Sequence, residues 1–195
     1  GVLATQLKKN GDVYSFELIT EPTGFWKVIT KGSVIERSRF VIENDQLKTY
    51  DYHLIDTIRK KSRESESEFN WSTSKITGYY KDREIDIPLE GKTLSRIVLQ
   101  LQIMHDQEKQ IASTDYQILD KDALKKITVF PEEFITETSV PFGKFQTIKI
   151  SHQSENSERL NSLWLAPELN FIPIKISQSI NGKTSFEANL TQLIF

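Results

Sequence analysis

The histidines are the first residues to consider for metal binding or acid–base chemistry. They are His53, His105 and His152, and no pair of them has the HxH or HxxxH spacing that puts two ligands on one element. His105 closes a predicted helix, where a histidine interacts favourably with the helix dipole. The chain has no cysteine, which excludes thiol nucleophiles, zinc–thiolate sites and disulfides. We predict structural or surface roles for all three histidines and no metal site.

Motifs of nucleophilic catalysis and phosphate binding are missing as well. The sequence has no GxSxG elbow, and Ser95 lacks the lysine of an SxxK motif. Neither GxxxxGK[ST] nor GxGxxG occurs. The acidic residues between Asp82 and Glu90 lack the tight spacing and the glycine bend of a calcium loop. We therefore predict a protein without catalytic residues and without a cofactor, which is not an enzyme.

Aromatic and arginine side chains remain as candidates for a binding site. Aromatic residues on strands are ordinary core residues, and they also line the cavities of curved sheets. Arg37 and Arg39 share one parity of a predicted strand, where each binds either an anionic head group or a neighbouring carboxylate. The residues that we predict to line a ligand cavity are Trp26, Arg37, Arg39, Phe40, Leu101 and Trp164.

Alternation of apolar and polar residues dominates the chain and predicts a mainly β protein. The C-terminal hairpin shows it best, because Ile172 to Ile180 and Phe186 to Ile194 flank an Asn181-Gly182 turn. We predict a single domain over residues 1–195, with about a dozen antiparallel strands in one large curved sheet or half-open β-barrel. A sheet of that size usually curls, closes or splits.

One segment, residues 93–108, predicts a helix. Apolar residues from Leu94 to Met104 follow the i, i+3, i+4, i+7 spacing of a helical face. Leu99 and Ile103 fall on the opposite face of that helix. A helix that is apolar on two faces must be buried on two sides, so we expect it to lie inside or against the curved sheet.

Residues 57–71 form an almost wholly polar stretch that ends at Phe69 and Trp71. One interpretation is a long solvated strand at a sheet edge, where charge discourages edge-to-edge pairing. The other is a mobile loop or a charged docking site over residues 59–68. The rarity of long loops without secondary structure favours the strand.

Charge and hydropathy narrow the possible partners. The 25 basic and 27 acidic residues give a net charge of −2, which excludes a nucleic-acid binder held by net charge. No apolar run reaches the ~18 residues that span a bilayer. The chain opens on Gly1 and reads as a strand almost at once, so we expect that a signal peptide, a lipoprotein anchor or a disordered stretch precedes it in the natural protein.

Three stretches of the sequence carry a resemblance to a known family. They are Arg37-Ser38-Arg39-Phe40, Leu94-Ser95 and Trp164-Leu165-Ala166-Pro167-Glu168-Leu169 with Ile172-Pro173-Ile174-Lys175-Ile176. Together they resemble a bacterial envelope family called domain of unknown function 3108, whose characteristic ending is a WLAPDL…LPV+I block. Here Glu168 replaces the usual Asp and Ile174 the usual Val, and Thr93 stands where the family often has Asp before Leu-Ser. The resemblance covers nearly the whole chain and is most specific in its last third.

The resemblance implies an exported, periplasmic protein with a signal sequence, and it supplies no activity. The strand-rich pattern is also similar to the half-barrels of the LolA/LolB lipoprotein carriers, which hold acyl chains between a curved sheet and helices; this is an analogy of fold only. We therefore expect a non-enzymatic envelope protein that binds a lipid, a lipoprotein acyl chain or another amphipathic ligand. The alternative is a periplasmic scaffold without a ligand, which binds an envelope protein through an edge strand or the 59–68 segment.

Overall fold

The structure is a computed structural model that describes residues 1–24, 32–58 and 61–194. In these ranges the chain has fourteen strands and one α-helix, and 66% of it is strand. The predicted class, mainly β with one helix and about a dozen strands, is confirmed. The strands form two seven-stranded sheets, one of which is a half-barrel.

The chain divides into two compact units. The first unit comprises Gly1–Gln102 and Gln117–Leu124, and the second comprises Ile103–Tyr116 and Lys125–Phe195. The single domain that the sequence predicts over residues 1–195 stays a prediction. Among the described residues, no helix is both long enough and apolar enough to pass through a membrane.

The first sheet belongs to the first unit and is an antiparallel meander in which each strand pairs with the next. Asn44 and Asp45 form the turn between its third and fourth strands with φ of 51° and 59°. Two positive φ angles in a two-residue loop match the right-handed twist of the flanking strands. The strands are β1 (Val2–Asn10), β2 (Val13–Glu21), β3 (Val34–Glu43), β4 (Gln46–Asp56), β5 (Arg63–Asn70), β6 (Lys75–Tyr80) and β7 (Arg83–Pro88).

The second sheet has the strand order β14-β13-β12-β11-β10-β9-β8, with β8 and β9 parallel. The predicted C-terminal hairpin is β13 and β14, in which Ile180 faces Lys183 across the Asn181-Gly182 turn. A short 3-10 helix, Pro167–Leu169, joins β12 to β13. The strands are β8 (Thr93–Ser95), β9 (Asp115–Asp120), β10 (Ala123–Val140), β11 (Gly143–Ser154), β12 (Arg159–Ala166), β13 (Ile172–Ile180) and β14 (Lys183–Asn189).

The only α-helix in the described part of the chain, α1, spans Val98–Glu108 and begins five residues later than predicted. The residues before it form β8 because their polar groups bond outside any helix. Thr93 Oγ1 donates to the Glu90 carbonyl at 2.5 Å, and the Ser95 N–H donates to Thr49 Oγ1 at 3.1 Å. Val98 and Ile103 are buried, as expected for a helix that is apolar on two faces.

The polar stretch 57–71 contains β5, which confirms the strand interpretation. Its predicted position at a sheet edge is wrong, because β5 pairs with β4 on one side and with β6 on the other. Ser65, Ser67 and Phe69 project to the buried face, and the glutamates between them project to the opposite face. A central strand can carry this many charges because consecutive residues project to opposite faces of the sheet, so the charged side chains stay off the buried face. Residues 59 and 60 lie outside the described part of the chain.

One histidine, His152, packs in the second unit on β11, where it faces Val129 on β10 and Asn161 on β12. Its Nδ1 atom is buried and has no hydrogen-bond partner among the described residues. Burial disfavours the charged imidazolium, and it lowers the pKa of His152 from 6.5 to about 4. This agrees with the structural role predicted for the residue.

His152 should therefore contribute to the loss of stability at acidic pH. The pKa of the folded state lies below that of the unfolded chain, so the native state loses stability as the pH falls from 6.5 towards 4. When the pH falls from 7 to 4.5, the free energy of unfolding of the wild type should decrease by about 2 kcal/mol more than that of His152→Gln. Urea unfolding at the two pH values measures this difference. His53→Gln, at a half-exposed histidine on the first sheet, serves as the control and should follow the wild type.

Candidate functional site

The first unit has a pocket of about 310 Å³ on the buried face of the first sheet. Its volume lies at the lower end of the range of small-molecule sites, roughly 300–1,000 Å³. Three lining residues are apolar: Val34, Leu54 and Ile58. The others are polar or charged: Thr20, Glu36, Asp56, Arg63 and Arg96.

The register of the sheet brings these residues together. Val34 lies between Thr20 on β2 and Asp56 on β4, and Asp56 faces Arg63 on β5. These four residues form one row across four strands. Glu36 lies two residues further along β3, on the same face. The residues that line the pocket are therefore up to 76 positions apart in the sequence, from Thr20 to Arg96.

Glu36 is a buried carboxylate at one end of the pocket. It accepts a hydrogen bond from the Tyr52 hydroxyl at 2.6 Å, and the Arg96 Nε lies 3.0 Å from the same oxygen. Desolvation of the phenol and the nearby charge of Glu36 raise the pKa of Tyr52 well above its ordinary value. Tyr52 therefore stays neutral and donates a hydrogen bond to the carboxylate. Arg96 compensates the charge of Glu36, as a buried carboxylate requires.

A second ion pair lies in the adjacent row. The Arg63 Nη2 donates to Asp56 Oδ2 at 2.9 Å, and the Nη1 donates to the Tyr80 hydroxyl at 3.2 Å. The third nitrogen, Nε, is buried and has no hydrogen-bond partner among the described residues. A buried N–H without an acceptor is costly, and this one belongs to a residue that lines the pocket.

Arg96 differs from Arg63 in its exposure. Its Nε is used in the pair with Glu36, while 44% of its side chain is accessible to solvent. The preceding residue is held firmly, because Ser95 Oγ lies 2.9 Å from Ser38 Oγ and both serines are buried. This anchor fixes the backbone at Arg96 and leaves the two terminal nitrogens of the guanidinium available at the opening of the pocket.

A larger depression of about 430 Å³ lies in the second unit, around the turn between β11 and β12. It is lined mainly by the polar residues of that turn, including Glu155, Asn156 and Glu158. Its lining residue Glu155 lies 4.0 Å from Lys126, and both side chains are largely exposed, unlike the buried carboxylates of the ion pairs in the first unit. We therefore regard the smaller pocket as the candidate site. The described residues contain no group of three or more side chains that could hold a metal ion.

Of the residues predicted to line a cavity, Phe40 and Leu101 are buried in the first unit. Phe40 stacks on Tyr14 with ring centroids 5.3 Å apart. Arg37 and Arg39 lie on the opposite, exposed face of β3, where they pair with Glu17 and with Asp51 respectively. None of these four residues lines the pocket. Trp26 lies outside the described residues.

Trp164, the remaining predicted residue, lies on β12 in the second unit. Lys149 and Lys175 are its neighbours on the adjacent strands, with Nζ atoms 5.4 and 5.0 Å from the ring centroid. Each lysine also pairs with a glutamate, at 2.6 Å to Glu132 and at 3.0 Å to Glu187. The ring is thus part of a cation–π and ion-pair cluster that stabilises three strands of this sheet.

Sequence reasoning did not identify Glu36, Asp56, Arg63 and Arg96. A signal was present for two of them: Glu36 shares its parity with Val34 and Phe40, and Asp56 shares its parity with Leu54. A charged residue on the apolar parity of a strand indicates a buried and paired group. Arg63 and Arg96 follow no such pattern, because their partners are distant in sequence.

The fold has a counterpart among solved structures. The chain is similar to a β-barrel-like protein of domain of unknown function DUF1849 from Brucella abortus, with a TM-score of 0.55 and 10% sequence identity. The match covers 97% of this chain and 88% of the other, and at this identity it shows the fold alone.

No curated protein matches the sequence. The family model described as "Protein of unknown function (DUF3108)" matches residues 1–190, which include the C-terminal block that carries the resemblance. The chain therefore belongs to the DUF3108 family.

Proposed function

We propose that the protein binds a small amphipathic molecule, without catalysis, in the pocket of the first unit. One observation carries the proposal: a single concave site combines three apolar side chains with two arginines that still have donors to offer. Ligand sites typically join an apolar lining to a few convergent polar groups. A site of about 310 Å³ favours a small amphiphile, or the end of a longer one, over a whole phospholipid.

The polar end of this ligand should carry an acceptor group, either a carboxylate or a similar anion. Glu36 and Asp56 already accept hydrogen bonds from the protein, so they hold the arginines in place. The terminal nitrogens of Arg96 can bind a carboxylate in the bidentate geometry that guanidinium groups favour. Arg63 also lines the pocket, and its buried Nε–H has no acceptor among the described residues.

We also propose that this binding takes place in the cell envelope; the resemblance to an exported family supports this location. The strand pattern of the sequence is similar to the half-barrels of the lipoprotein carriers, and this analogy of fold supports a carrier role. Fractionation of cells that express the natural full-length protein tests the location. Recovery with periplasmic or membrane fractions would support the proposal, and recovery only with the cytoplasm would contradict it.

The binding proposal is tested with octanoate and octylammonium, which share one apolar chain and differ in the charge of the head group. Isothermal titration calorimetry at low ionic strength should show binding of octanoate, and binding of octylammonium should be weaker by about tenfold or more. Arg96→Met removes the terminal donors and should weaken octanoate binding by about tenfold. Equal affinity for the two amphiphiles would contradict the proposed role of the arginines.

Two further variants separate the pocket from the rest of the sheet. Val34→Phe fills the pocket without changing an ion pair, so it should also weaken octanoate binding. Arg37→Met makes the same substitution as Arg96→Met, but on the opposite face of β3, and should bind octanoate like the wild type. A loss in Arg37→Met with full binding in Arg96→Met would instead support the cavity residues predicted from the sequence.

A further inference from the structure

We propose that the free edge of β10, over residues 131–140, docks an extended segment of a partner protein that alternates basic and apolar residues. This surface belongs to the second unit, and the proposal is independent of the ligand pocket. It rests on the pairing of β10, on its exposed apolar side chains and on the charges beside them.

The far half of β10 pairs on one side only. From Ile135 to Val140 its residues face β11, with Ile135 opposite Ile148. On the other side, the Val129 N–H donates to the Thr114 carbonyl at 2.7 Å. Beyond that bond, no described strand pairs with this side of β10. A strand edge with unused backbone donors and acceptors can take up an additional strand.

The same segment exposes large apolar side chains. Every residue from Phe130 to Glu137 is exposed, and the exposed fractions reach 75% for Phe134 and 60% for Ile135. Neighbouring apolar side chains this exposed on a strand edge indicate an interaction surface or an aggregation hazard. Consecutive strand residues project to opposite faces, so the alternate apolar side chains of an added strand would lie on the face of Phe134, and its basic side chains on the face of Ile135.

Two features of this edge disfavour its pairing with the same edge of a second copy of this chain: its charge and its irregular backbone. Pro131 lacks an N–H, and the pairing of β10 with β11 is irregular between Pro131 and Ile135. An antiparallel pairing of two copies centred on Ile135 would place Glu133 of each opposite Glu137 of the other. Like charges directly opposite each other destabilise a strand pair, so the edge resists self-association.

The glutamates beside the apolar residues favour a basic partner. Glu132 and Glu137 already lie near Lys149 and Lys144, at 2.6 and 3.9 Å. Glu133 has no such lysine among the described ion pairs, and its side chain is exposed. Opposite charges across adjacent strands stabilise the pairing. An incoming strand that alternates lysine or arginine with valine or isoleucine therefore complements both the charge and the apolar surface.

Fluorescence anisotropy with a labelled peptide of alternating lysine and valine tests the proposal, and a twin peptide with glutamate in place of lysine is the control. The lysine peptide should bind, and Phe134→Ser/Ile135→Thr should weaken its binding by about tenfold. Glu133→Lys/Glu137→Lys should weaken it by about fivefold. The matched charge reversal Glu155→Lys/Glu158→Lys, on an exposed turn of the same unit, should change it by less than about twofold.

Hydrogen exchange of the complex locates the binding. Slower exchange of backbone amides within residues 131–140 would support strand addition at this edge. Protection elsewhere, equal binding of the glutamate peptide, or equal loss in the turn variant would overturn the proposal. Light scattering of the wild type gives an independent result, because a stable dimer that Phe134→Ser/Ile135→Thr dissociates would make a second copy the occupant and overturn it as well.

Discussion

Replacing Gly78 by alanine should lower the free energy of unfolding by more than about 3 kcal/mol. Gly78 lies within β6 with φ of 144°, a conformation that L-residues rarely adopt. A Cβ atom there would lie 2.0 Å from the Glu66 carbonyl oxygen and 2.9 Å from the Ser67 Cα. These are backbone atoms of β5, which is itself paired on both sides, so the clash cannot be relieved by a side-chain rotation.

Gly11→Ala is the matched control for this prediction. Gly11 also has a positive φ, 61°, in the turn between β1 and β2, but no described atom lies within 4 Å of the added Cβ. The cost should be the conformational penalty alone, about 1 kcal/mol. Urea unfolding followed by far-ultraviolet circular dichroism measures both variants. Equal losses would mean that β5 and β6 can separate enough to accept a side chain.

The strands and hairpins were predictable because their signals are local. Period-two alternation and turn pairs such as Asn181-Gly182 depend on residues that are adjacent in the chain. The start of α1 was not predictable in the same way. Thr93 and Ser95 are acceptable at a helix start, but their hydrogen bonds also reach Gln117 and Thr49, which only the folded sheet brings near.

The faces of β3 show how far parity alone can define a site. The sequence indicates two faces and does not state which one lines a cavity. Arg39 and Phe40 were both predicted to line it, yet consecutive strand residues project to opposite sides of a sheet. In the structure Phe40 is buried and Arg39 is exposed. The predicted set therefore combined two faces, and the pocket uses the face of Glu36 and Val34.

The ion pairs of the pocket depend on distant parts of the chain. Glu36 meets Arg96 across 60 positions, and that separation follows from the path of the chain through five intervening strands. Local patterns contain no information on such a distance. The sequence does show that a partner must exist. A carboxylate on the buried parity of a strand costs folding free energy unless a group of opposite charge or a hydrogen-bond donor pairs with it.

Breaking the pair of Asp56 and Arg63 from either side should cost about 3–5 kcal/mol. Only 3% of the Asp56 side chain and 17% of the Arg63 side chain are exposed, so either variant leaves a charge in a poorly solvated position. Asp56→Leu leaves the guanidinium, and Arg63→Met leaves the carboxylate. The exposed pair Lys75–Asp86 on the same sheet is the control, and Asp86→Leu there should cost less than about 1 kcal/mol.

The double variant Asp56→Leu/Arg63→Met separates stability from binding. Removing both charges leaves an apolar pair of similar volume, so most of the lost stability should return, and a strongly favourable coupling should appear in the double-mutant cycle. Octanoate binding should not return with it, because the buried Nε donor of Arg63 is gone. A double variant that is stable and weakened in binding would show that Arg63 contributes to the ligand site as well as to the fold. A stable double variant that binds octanoate like the wild type would remove Arg63 from the site and leave Arg96 as its only arginine donor.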